Sequence, residues 1–136
     1  MEETVDTLII LNSVKKALGL DQDYHVFDPD IVMAINTAFF NLWQLGVGPD
    51  DSPFTITGDT ETWSDFIEDG TVEMCKSYVY LKVKLLFDPP TSSFLIENIK
   101  EQIREYEFRM MCGVEEYSAK ERGEWPTSSI IQIQND

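Results

Sequence analysis

Residues 71–87 read TVEMCKSYVYLKVKLLF, and the fold class turns on whether they form a strand or a helix. The second half, VYLKVKLLF, alternates β-branched, aromatic and basic side chains as a strand does. Yet Val72, Cys75, Val79, Val83 and Leu86 recur at spacings of 3, 4, 4 and 3, which places them on one face of a helix, and the run is long for a strand. Read as a central, largely buried helix, it makes the chain all-α. The expected architecture is a compact bundle of about four to five helices with a short β-like excursion and an extended C-terminal tail.

Working upstream, Gly70 separates this segment from TETWSDFIED, a short amphipathic helix presenting Trp63, Phe66 and Ile67. Before it, GVGPDDSPFTITGD (46–59) gathers glycines, prolines and aspartates around PFTIT and reads as a loop or small hairpin. A helical core has no evident use for it, so Phe54 and Ile56 are expected to contact another subunit or a neighbouring protein. A long helix precedes it, from Asp28 to Leu45, with Ile31, Ile35, Ala38, Leu42 and Leu45 on one face. Phe39, Phe40 and Trp43 widen its apolar surface, and Gly46 and Gly48 stop it. The first helix is expected from about Thr4 or Asp6 to Leu18, on Leu8, Leu11, Val14 and Leu18.

Downstream, Asp88-Pro89-Pro90 forces a break, and Ser92 or Ser93 offers a hydroxyl cap for a last helix from Phe94 to Cys112. Its inner stripe is Ile96, Ile99, Ile103, Tyr106 and Met110, with Glu105 and Arg109 one turn apart, and Gly113 is expected to close it. This divides the chain into a helical domain, 1–113, and a tail, 114–136. The tail's SSIIQIQ alternates like a strand. Without a partner strand in its own chain, it would add to a sheet edge on another molecule, with Trp125, Ile130, Ile131 and Ile133 as anchors.

The connection LGLDQDYHVFDPDI (18–31) holds four aspartates and the single histidine. Counted from Asp21, the sixth and twelfth positions of a calcium loop fall on Val26 and Val32, so both the turning glycine and the closing glutamate are missing. It reads as an interhelical turn, with Gly19 after one helix, and Asp28-Pro29 as N-cap and first helical residue of the next. His25 is expected to pack or cap rather than bind a metal.

The 136 residues are enough for one domain, and eight Phe, five Tyr and three Trp supply a core. With 10 basic against 25 acidic residues the formal charge is −15, which opposes any grip on nucleic acid through its phosphates. Cys75 and Cys112 lie in apolar helical patterns without zinc or CxxC spacing and are expected as buried thiols in a reducing compartment. MEETVDTLII has acids where a signal peptide needs bases, and no apolar run is long enough to span a membrane, so a soluble intracellular protein is expected. No nucleophile elbow, P-loop, HExxH or dinucleotide fingerprint is present, and the carboxylate pairs Asp50-Asp51, Glu68-Asp69 and Glu115-Glu116 sit in polar loops or helix ends. Neither an enzyme nor a cofactor or metal site is expected. Phe39, Phe40 and Tyr80 are candidates for contacts between subunits.

Taken together, LNSVKKALGL, an acidic turn, DPDIVMAINTAFFNLWQLGVGP, a Trp-containing short helix and MCKSYVYLKVKLLFDPPTSSFLIENIKEQIREYEFRM resemble the small head-tail connector, or adaptor, proteins of tailed bacteriophages. The resemblance covers residues 8 to about 111 and rests most on VKKALGL, INTAFFNLWQLGVGP and YLKVKLLFDPPTSS. It implies a helical bundle that assembles as a twelvefold ring below the portal protein. Such a ring surrounds DNA without specific binding, docks stopper or tail-completion proteins, and resides in the virion after synthesis in the host cytoplasm. An acidic DNA mimic or regulator that binds a basic protein is the alternative that the charge leaves open, and within the neck a stopper or tail-completion protein is another.

Overall fold

The computed structural model describes residues 8–49, 51–68 and 70–123, with backbone only for 115–121. The described residues form five helices and no strand: α1 (Ile10–Ala17), α2 (Asp28–Gln44), α3 (Trp63–Phe66), α4 (Val72–Phe87) and α5 (Ser93–Glu121). The fold is all-α.

The ambiguous segment is helical, and α4 is the centre of the bundle, packing against α1, α2 and α5. Cys75, Tyr78, Val79 and Val83 are its buried face. Leu86, expected on that face, is exposed, and its neighbours Leu85 and Phe87 pack against the core in its place. In α2 the stripe Ile31, Ile35, Ala38 and Leu42 is buried as its spacing requires, with Ala34 and Phe39 beside it. In α1 the buried residues are Ile10, Leu11, Val14 and Lys15, while Leu8 is exposed, so the buried face is rotated toward Ile10 and Lys15.

Glycines turn the chain after α2. Gly46 and Gly48 have φ of 89° and 103°, in the left-handed region that side chains avoid. A Cβ on Gly48 would lie 2.7 Å from the Phe66 ring, so this backbone also fits only glycine by space. Helix α3 is four residues long and is held by a capping box, in which Thr62 and Asp65 exchange side-chain and backbone hydrogen bonds.

Two sequence expectations about ends are corrected. The PFTIT excursion forms no strand; the one isolated bridge among the described residues lies beyond it, between Ile9 and Thr62, with Ile10 N–H donating to Glu61 O at 3.0 Å. Helix α5 does not stop at Gly113 but continues to Glu121, with Gly123 at φ 71° beyond it. A glycine inside a helix costs only about 1 kcal/mol relative to alanine, and Val114, packed against the core and touching the Gly46 turn, anchors the helix just after it. The extended tail expected from residue 114 is therefore helical as far as 121 and turns at 122–123, and residues 124–136 lie outside the described residues.

Candidate interaction surfaces

The acidic turn is built around a cation from its own chain. Lys15 is 0% exposed, and its ammonium donates to the carbonyls of Gln22 at 3.0 Å and Tyr24 at 2.7 Å. Asp28 Oδ1 lies 2.8 Å from the same nitrogen, in an ion pair whose angle falls short of an aligned hydrogen bond. The other carboxylate oxygen, Oδ2, is 2.8 Å from His25 Nδ1. Partial burial pushes the Asp28 carboxyl up, but Lys15 and His25 outweigh it and hold the group below the ordinary aspartate value.

Asp28 was expected to cap α2 and instead spends both oxygens on Lys15 and His25, and Phe27 stands at the N-cap without a side-chain hydrogen bond. A buried charge needs a partner and hydrogen bonds, and this turn gives the Lys15 ammonium the Asp28 carboxylate and two carbonyls. Among the described residues, no three His, Cys, Asp or Glu side chains are grouped to hold a metal ion.

The excursion residues also face inward. Ile56 is 2% exposed, and Asn36 grips its backbone from α2, accepting from Ile56 N–H at 2.8 Å and donating to Ile56 O at 3.0 Å. One amide side chain thus replaces a neighbouring strand. Phe54 is partly buried, its ring 5.2 Å from Phe39 and 5.4 Å from Phe66 by centroid, and Phe39 lies 4.6 Å from Phe66. These spacings are those of favourable aromatic pairs. Ile56 is thus spent inside its own chain, and of the two residues expected to reach a neighbour only the partly exposed Phe54 keeps surface for one.

Among the lateral candidates, Phe39 is wholly buried and offers nothing to a partner, Tyr80 is half-buried, and Phe40 is 44% exposed. The buried tyrosine is Tyr78, whose hydroxyl donates to Glu107 at 2.7 Å and ties α4 to α5. Burial first, and the Glu107 carboxylate second, raise its pKa far above the ordinary tyrosine value. Cys75 is buried, but Cys112, expected buried, is exposed on α5. Trp125, Ile130, Ile131 and Ile133 lie outside the described residues.

Exposed apolar side chains lie on the acidic turn, at Tyr24, Val26 and Phe27, and on two outer helix faces. Met33 and Phe40 point outward from α2, and Phe94, Leu95, Phe108 and Met111 from α5. Phe94 is 76% and Phe108 61% exposed; their separation of two heptads puts them on one side of α5, opposite Ile103 and Met110. Sequence reading passed over them because it sought each helix's inner stripe. The signal was present in the apolar residues left outside that stripe.

The described residues form an all-α bundle with apolar side chains exposed on two outer helix faces, the kind of surface that marks interaction sites. Residues 10–117 match the family model described as phage connector protein, and the chain belongs to that family. Membership makes it a structural component of the phage neck. No curated protein and no solved structure matches the chain. No helix among the described residues is long and apolar enough to cross a membrane.

Proposed function

We propose that this chain is a head-tail connector that forms a ring, twelvefold when assembled, below the portal and links the DNA-filled head to the tail. The family match over most of the chain carries this reading. The exposed apolar face of α5 supports it, because a closed ring needs faces left open on each subunit. In this reading Tyr80 contributes to one lateral face, and Phe94 and Phe108 to another, while Phe40 stays open to a different protein. Residues 124–136 act as an arm that adds to an exposed strand of the portal through Trp125, Ile130, Ile131 and Ile133. The opposite side of the ring receives stopper or tail-completion proteins.

The net charge of −15 suits a wall that DNA passes without adhering. It gives less support to a DNA mimic, which needs carboxylates spread at duplex-like spacing and open to a basic groove. On α5, Glu97, Glu101 and Glu105 are instead paired with Lys100, Arg104 and Arg109 of the same helix.

The arm is tested by truncation after Gly123, beyond the end of α5. Removing residues 124–136 is expected to leave stability within about 1 kcal/mol of the intact chain and to abolish capture by purified portal. Undiminished capture would remove the arm from the account.

A further inference from the structure

Two shallow grooves flank the outward face of α2. One, of roughly 990 Å³, runs between α2, the acidic turn and residues 57–59; the other, of roughly 490 Å³, runs between α2 and the C-terminal end of α4. Met33 and Thr37 border both, so Met33, 69% exposed, stands as a ridge between them. Phe40 lies two turns further along, about 10 Å away on the same face, and Val32 and Leu86 add apolar walls. Every carboxylate bordering the grooves is an aspartate, Asp28, Asp30 or Asp59; His25 is the remaining titratable group, and neither groove has a Lys or Arg.

We infer that the outward face of α2 is a docking site for a basic amphipathic helix of a different protein, which lays apolar side chains over Met33 and Phe40 and its lysines or arginines toward Asp30 and Asp59. Charge complementarity selects this occupant. The chain's own terminal segments, 1–7 and 124–136, carry acids and no Lys or Arg. A second copy offers the apolar outer face of α5, but its Lys100, Arg104 and Arg109 already pair with glutamates on that helix. A strongly acidic copy also repels its twin at an acid-rimmed groove. A helix, rather than an extended strand, fits because the described face is itself a helix with apolar positions at i and i+7 and no open backbone to pair with. The inference rests on the surface of α2 and holds with or without a ring.

The test uses the full chain labelled with nitrogen-15 and a synthetic helix of about 18 residues with leucine on one face and lysine on the other. Binding is expected to saturate, to shift amides around Met33, Thr37, Phe40 and Asp59, and to weaken with salt. Met33→Ser or Phe40→Ser should weaken it about tenfold, the loss expected from one apolar side chain no longer buried, with an unchanged melting curve. Asp30→Asn with Asp59→Asn should weaken it and flatten its salt dependence. Four results would overturn the inference: no saturable binding; equal binding by a scrambled lysine-leucine peptide; equal binding by a glutamate-leucine helix or by the peptide of residues 124–136; or a Met33→Ser effect on the sedimentation of the chain alone, which would name a second copy as the occupant.

Discussion

The segment between α2 and α3 has an irregular backbone and is gripped from several sides, whereas α5 is regular for 29 residues and packs chiefly against α4. In the first, Ile56 is locked by Asn36, Phe54 lies among Phe39 and Phe66, and Trp63 Nε1 donates to Ser13 Oγ at 2.9 Å. In the second, one face meets α4 through Ile103, Met110 and the Tyr78–Glu107 bond, and the other presents Phe94 and Phe108 to solvent. In this pair the irregular loop is consumed by its own core, and the regular helix keeps an apolar face in solvent. Burial and hydrogen bonding, more than secondary structure, tell which segment has contacts to give away.

The comparison breaks most severely if the loop can lose its apolar residues and keep the fold. Replacing Phe54 and Ile56 together by serine is expected to cost about 5 kcal/mol, comparable with the stability of a whole domain, and so to unfold the bundle by circular dichroism. A folded double variant deficient only in assembly would return these residues to an intersubunit role.

The acidic turn should fail by a different route. Lys15→Ala leaves Asp28 and two inward carbonyls without their cation, and a loss of about 3–5 kcal/mol is expected in urea unfolding. Lys15→Met, which fills the same volume without charge, should fare no better while Asp28 remains, and should recover stability when combined with Asp28→Asn.

Acid sharpens the same contrast. The folded Asp28 carboxyl lies below its ordinary value, so its contribution is fully present above the unfolded value, near pH 4, and is lost as pH falls through the lower folded one. Glu61 shifts in the same direction: burial raises it, and hydrogen bonds from Thr57 and Thr60 more than offset that. Denaturant midpoints measured downward from neutral pH should therefore fall in the acid range, and Asp28→Asn should reduce that slope without removing the part belonging to Glu61.

The smallest expected effect on folding belongs to α5. Phe108→Ser, on the exposed face, should change stability by no more than about 0.5 kcal/mol and should still prevent ring formation by sedimentation. A large loss of stability would show that this face is covered within the subunit.

Much of this was legible before any coordinates. The stripes of α2 and α4 gave the helices, the proline pair gave the break before α5, Ser92 accepts from Leu95 N–H at 3.4 Å as a cap, and the order of pieces carried the family resemblance. What escaped reading were polar residues doing structural work inside apolar rows. Lys15 lies between Leu11 and Leu18, and Asn36 between Val32 and Phe39, at helical spacing; periodicity counts such residues as gaps, although one neutralises the turn and the other substitutes for a strand. Gly113 misled because a glycine stops a helix only where the chain needs a left-handed residue, as at Gly46, and elsewhere is a small penalty that packing overrides. Of the candidate interface residues, Phe40 was legible as an apolar residue beyond the core's need, while Phe39 beside it differs only by about 100° around the helix, enough to bury it completely.

The central claim, that this chain is a ring-forming connector on a portal, is tested most directly by native mass spectrometry of the purified full chain mixed with its portal ring. The account predicts one species carrying a complete ring of chains, twelve on a twelvefold portal, with no population of singly loaded portals at saturation. A chain that stays monomeric beside an unliganded portal at any concentration would contradict it.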